Sequence, residues 1–208
     1  MKEEQDHARD IMEIRSMMER SSKFVWLSGW AGIMAGIYAL AGAYIAYTVF
    51  NFNSAEAGYT SITAGPLPAS LLSLILLAIG IFVLAACTAI FFTYQRATKR
   101  GEKLWNATSR RLLANMAVPF FVGGLLILIL IDKGLLGFIA PFTLVFYGLA
   151  LYNISKLTYS EVRVLGITEI VLGLIAAYFV EYGLLCWAAG FGIVHIIYGI
   201  YIHFKYEK

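Results

Sequence analysis

Charge is scarce in this sequence. Asp, Glu, Lys and Arg make up only 14% of its 208 residues, while 60% are hydrophobic. A soluble domain of that size has too little interior to hide so much apolar surface. Cysteine is nearly absent. Cys87 and Cys186 stand alone in apolar runs near opposite faces of the membrane, with no C-x-x-C motif. That excludes a disulfide framework and leaves two thiols as inert packing. Catalytic signatures are missing too: there is no H-E-x-x-H, no G-x-S-x-G and no Walker loop. Of the three histidines, His195 and His203 fall in one apolar run and His7 lies outside the bundle, so no two face each other across a haem. An enzyme is not indicated, and no cofactor or metal is expected.

What the sequence does have is long apolar runs, at 24–50, 69–94, 112–131, 135–154, 162–180 and 184–204. Each is long enough to cross a hydrocarbon core of ~30 Å as a helix. The expectation is an all-α integral membrane protein: one domain of six transmembrane helices, arranged as three antiparallel hairpins. Residues 1–23 precede it as an amphipathic helix, with Ile11, Ile14 and Met18 at helical spacing. This segment is too charged for a signal peptide. Its acids outnumber its bases, which disfavours a polybasic lipid anchor. It either leads, solvated, into the bundle or docks a partner or second protomer.

Lys and Arg fix the orientation. Fifteen of the 16 cationic residues fall on one side of the six runs, and only Lys133 is opposite. By the positive-inside rule both termini are cytoplasmic. The basic stretch 95–111 is explained by topology and anionic headgroups, so nucleic acid is not an expected partner; the lipid bilayer is. The sequons at Asn106 and Asn153 lie on the same cytoplasmic side and carry no meaning.

The last two runs share an octet, Gly166-Ile167-Thr168-Glu169-Ile170-Val171-Leu172-Gly173 and Gly192-Ile193-Val194-His195-Ile196-Ile197-Tyr198-Gly199. Residues three and four apart share a helix face, so Gly166, Glu169 and Gly173 align, as do Gly192, His195 and Gly199. Glycine stripes mark close helix approach, and they turn both ionisable groups into protein. Glu169 lies thirteen residues before Tyr182 and His195 thirteen after it. In an antiparallel hairpin the two are level, roughly 12–14 Å from the cytoplasmic end at ~1.5 Å per residue. A charge at that depth costs on the order of 2.5–3.5 kcal/mol. The pair is either ionic or a neutral acid bonded to a neutral imidazole. It serves either as an interhelical clasp without chemistry or as a proton- or ligand-binding site.

The first run carries Ser28, Gly32, Gly36, Ala39, Ala43 and Ala46 on one stripe, suited to the octet face of the last hairpin or to another copy of the protein. Pro119 and Pro141 lie within the third and fourth runs, where proline kinks a helix. Counting from the cytoplasmic face puts Cys87, Pro119, Tyr147, Glu169 and His195 at similar depth, a candidate polar layer. Residues 51–68, with Gly58, Gly65, Pro66 and Pro68, form the one sizeable outer loop.

Residues 165–200 contain runs of the form G-x-x-x-I-x-x-G, and the small-residue stretch Gly32 to Ala43 supports them more weakly, in a six-helix frame. In this the protein resembles the HdeD-like acid-resistance membrane proteins. The resemblance implies a small bacterial inner-membrane protein linked to acid stress, a family with no agreed biochemical activity. Glu169, His195, the 51–68 loop and the N-terminal segment are not part of that likeness. The expected function is non-enzymatic binding, sensing or a stress-related role, with a homo-oligomer through the small-residue stripes as one form. The alternative is a proton-coupled small-solute transporter or proton-conducting protein using Glu169 and His195.

Overall fold

The computed structural model describes residues 28–54, 69–99 and 105–207. The amphipathic helix expected at 1–23 and most of the 51–68 loop fall outside the described residues. Among those residues the protein is helical, without strands. The helices are α1 (Gly29–Thr48), α2 (Ala69–Lys99), α3 (Ala107–Asp132), α4 (Ile139–Ile154), α5 (Glu161–Tyr178), α6 (Gly183–Trp187) and α7 (His195–Tyr206). A π-helical stretch, Ala188–Val194, joins α6 to α7, so these two make one segment.

Among the described residues, five segments are long and apolar enough to cross a membrane: Gly29–Thr48, Leu71–Lys99, Ala107–Asp132, Leu136–Leu157 and Val180–Tyr206. Helix α5 differs because its 18 residues include Glu161, Arg163 and Glu169. At ~1.5 Å per residue it is ~27 Å long, still close to the hydrocarbon thickness.

Two helices outrun their apolar cores. Helix α2 continues through Arg96 to Lys99, and α3 begins at Ala107 rather than 112. Long cationic side chains snorkel, so a helix carrying them extends past the hydrocarbon boundary. The start of α3 is set by a capping box. The Asn106 side chain accepts the Ser109 backbone N–H at 2.8 Å, and Ser109 Oγ accepts the Asn106 N–H at 2.9 Å. Pro141 is a correction. It occupies the first turn of α4, where an N–H has no intrahelical acceptor to lose, so the reason to expect a kink there disappears. Pro119 does lie inside α3, and is buried.

Glycines set the packing order. A Cβ on Gly148 of α4 would stand 2.6 Å from the Gly166 carbonyl oxygen of α5, and one on Gly166 2.8 Å from that of Gly148. A Cβ on Gly199 of α7 would stand 2.5 Å from the Gly29 carbonyl oxygen of α1, and one on Gly36 2.6 Å from that of Gly192. The first-helix stripe thus lies on the last segment. The two octets do not pack on each other through their glycines: Gly166 and Gly173 face α4, while Gly192 and Gly199 face α1. Helix α1 also meets α2, where Tyr38 and Thr88 share a hydrogen bond of 3.3 Å. Helix α3 meets α4 where Gly123 admits Phe146. Along α2, Leu76, Phe82, Leu84 and Phe91 are exposed, an apolar outer surface suited to hydrocarbon.

Because the obstacle at Gly148 is backbone, not a side-chain tip that could swing aside, Gly148→Ala is expected to force α4 and α5 apart. Overpacking of this kind costs about 1–3 kcal/mol. Thermal unfolding in detergent should register it, and Gly124→Ala, where a Cβ meets nothing within 4 Å, should not.

Candidate functional site

Glu169 projects from the middle of α5 and is fully buried, at 0% exposure. Its Oε1 lies 3.3 Å from Nδ1 of His195, itself 5% exposed at the start of α7. The octets' two ionisable groups therefore meet at one level. Tyr147 of α4 joins them, with its hydroxyl 3.0 Å from His195 Nε2. Cys87 does not. It is exposed on α2, whereas its neighbour Thr88 turns toward α1. Adjacent helical residues diverge by ~100°, so a shared depth is not a shared face. Pro119 comes near only through the next residue, since the Phe120 ring lies 6.3 Å from that of Tyr147.

The π-helical stretch completes the site. His195 Nδ1 lies 2.9 Å from the carbonyl oxygen of Gly190, five residues back. In a regular α-helix that residue sits off the histidine's face; the wider π turn brings it under the ring. A carbonyl only accepts, so Nδ1 must carry the hydrogen. In the neutral ring Nε2 then accepts the Tyr147 O–H. This tautomer is assigned from the partners' chemistry.

Gly190 has a second role. A Cβ there would stand 2.5 Å from Glu169 Oε2 and 2.7 Å from Leu144 Cδ2, so the missing side chain makes the space the carboxyl fills. Phe191 closes the site, stacked 5.8 Å from the His195 ring at 23° and 5.0 Å from that of Tyr147. Trp187 continues this aromatic face one turn earlier. Sequence reasoning missed Gly190 and Phe191. The spacing 187, 191, 195 was a legible stripe, but Gly190 falls on it only after the helix widens.

An unmet carboxyl sets this cluster apart from a simple clasp. Neither Glu169 Oε1 nor Oε2 has a hydrogen-bond partner. The Nδ1 hydrogen points at Gly190, leaving the carboxyl close to the ring but unsatisfied. Buried carboxyls are normally paired and hydrogen-bonded, because an unmet one costs several kcal/mol. The arrangement holds an acid, an imidazole and a phenol in sequence, the elements of proton uptake and release.

A second polar node was not anticipated. Glu207, just beyond α7, accepts the Gly29 backbone N–H at 2.7 Å and Arg96 Nη1 at 2.6 Å through Oε1. Its Oε2 lies 2.5 Å from His203 Nδ1. Arg96 also donates to the Tyr206 carbonyl at 3.0 Å. The start of α1 and the ends of α2 and α7 are thereby fastened to one carboxylate.

No known protein family, curated protein or solved structure matches this protein.

Proposed function

We propose that this is a small multi-pass inner-membrane protein with a non-enzymatic binding or sensing role, and that Glu169, His195 and Tyr147 bind a proton. The observation that carries this is the fully buried carboxyl with both oxygens unpartnered beside an imidazole. A residue kept only to hold two helices together would be expected to spend its oxygens on hydrogen bonds. One proton gained changes the charge of a site whose acid and imidazole are 0% and 5% exposed, so the helices that hold it respond. The reading includes three antiparallel hairpins with both termini cytoplasmic, supported by the distribution of Lys and Arg. It also includes the likeness to HdeD-like proteins, which rests on residues 165–200. The outward apolar face of α2 serves lipid or a second copy of the protein.

The runner-up is a proton-coupled transporter, favoured by the π-helical break at Ala188–Val194 beside the site. Interrupted helices at membrane depth are a transporter feature. Proton uptake by reconstituted protein after an acid jump separates the two. A sensor takes up about one proton per molecule and stops; a transporter sustains flux. Glu169→Gln should abolish the uptake in either case. An uptake unchanged by Glu169→Gln would remove the site from both readings.

A further inference from the structure

Resting on that reading, we infer that the site exchanges its proton with one face of the membrane only, the face carrying Glu161 and Lys205, by way of Tyr198. Tyr198 follows His195 by three residues on α7, so both lie on one side of the helix. Its hydroxyl is shielded from solvent and has no partner. Leaving a buried hydroxyl unmet costs about 1–3 kcal/mol, a cost phenylalanine would avoid with the same ring. Tyr147, Glu161, Tyr159 and Tyr206 all lie within electrostatic reach of the Tyr198 hydroxyl. Tyr147, Tyr198 and Tyr206 pack against the same core of Leu151, Ile154, Val162 and Ile202.

The station at that face reaches the surface chiefly through Lys205, 44% exposed against 15% for Glu161. Glu161 begins α5, and its Oε1 accepts Lys205 Nζ at 2.5 Å and the Tyr206 hydroxyl at 3.1 Å. The Tyr206 ring stacks on Tyr159 at 4.1 Å. Glu161 and Glu169 are eight residues apart on α5, ~12 Å along the axis, and the inferred route runs through Tyr198 over that interval. Toward the opposite face the hydroxyls are already engaged: Tyr38 and Thr88 bond each other at 3.3 Å, and Ser54 Oγ accepts the Leu184 N–H at 3.1 Å. From Ile170 to Ala177, α5 carries no hydroxyl or charge, and α6 offers only Cys186. On α4, Thr143 donates to its own helix at the Ala140 carbonyl, 2.7 Å away. Helices α1 and α4 contribute no Asp, Glu, Lys, Arg or His, and the titratable groups beside Glu169 are His195 and Tyr147.

The transfer balances. The Tyr147 O–H proton moves to His195 Nε2, and the Tyr147 oxygen takes a proton from Tyr198 across a bridging water. Tyr198 is then reprotonated from hydronium at the Glu161 end. Only O–H and N–H bonds break and form, each phenol ends as it began, and the imidazole gains one proton.

The test is a rapid acid jump on proteoliposomes of known orientation, with a pH-sensitive dye on each side. The wild type should take up its proton from the Glu161 face and not from the other. Tyr198→Phe should keep the amplitude and unfold at the wild-type temperature or higher, while its uptake slows by about tenfold or more. Equal uptake from both faces overturns the route, as does a Tyr198→Phe rate matching wild type. Should Tyr198→Phe not fold, the sidedness of the wild type decides alone. A wild type that takes up no proton at all defeats the parent reading and this route with it. Loss of amplitude confined to Glu169→Gln leaves the parent reading standing whatever Tyr198 does.

Discussion

Gly190→Ala is expected to drive the Glu169 carboxyl out of its place and abolish the proposed proton uptake. The new methyl would stand 2.5 Å from Oε2 and 2.7 Å from Leu144 Cδ2, well inside van der Waals contact. The carboxyl is held at 0% exposure, so it can retreat only by disturbing α4 or tilting away from His195. Such overpacking costs about 1–3 kcal/mol, and the displaced acid no longer faces the imidazole. Residues in contact give non-additive effects, which supplies the control. In a Glu169→Ala background, where the obstructing oxygens are gone, Gly190→Ala should destabilise far less. Thermal unfolding of the four proteins of this cycle measures the coupling. Additive effects would mean that the glycine does not make room for the acid.

Glu207→Gln should loosen the fastening of three segments at once. Arg96 and Glu207 are only 12% and 11% exposed, so the amide leaves a shielded guanidinium without its counter-charge. Hydrogen bonds to charged groups contribute about 1.5–3 kcal/mol, and a loss of that size is expected in chemical unfolding. The pH dependence has a definite sign. Burial pushes the Glu207 carboxyl up, but hydrogen bonds from His203, the Gly29 N–H and Ser28, with the charge of Arg96, outweigh it and hold it below the ordinary value of 4.5. A carboxyl lowered on folding stabilises the protein above its unfolded value. That contribution fades as pH drops below about 4.5 and through the folded value. Wild type should therefore lose stability in that acid range and Glu207→Gln should lose less. Parallel acid unfolding curves would show that Glu207 is not responsible.

The helical, membrane-suited character of this protein was legible because its cause is local. Apolar runs of spanning length have few other destinations, and a backbone away from water must bond within its own helix. The level of Glu169 and His195 was legible for a related reason: two helices meeting at a short turn share a ruler of 1.5 Å per residue. Glycine spacing announced close approach as well, but not to whom. Gly166 could have faced the last segment, and lies on Gly148 of α4 instead.

What the tertiary structure alone decided is which faces meet. Cys87 and Tyr147 have similar depth in the sequence, yet one is exposed and the other bonds His195, because azimuth depends on packing around the whole bundle. Gly190 entered the site only when the helix widened into a π turn, which no spacing rule for a regular helix anticipates. Glu207 gained its role from partners 111 and 178 residues away. Periodicity fixes depth along an axis; rotation about that axis, and the partners it selects, come from many weak contacts acting together.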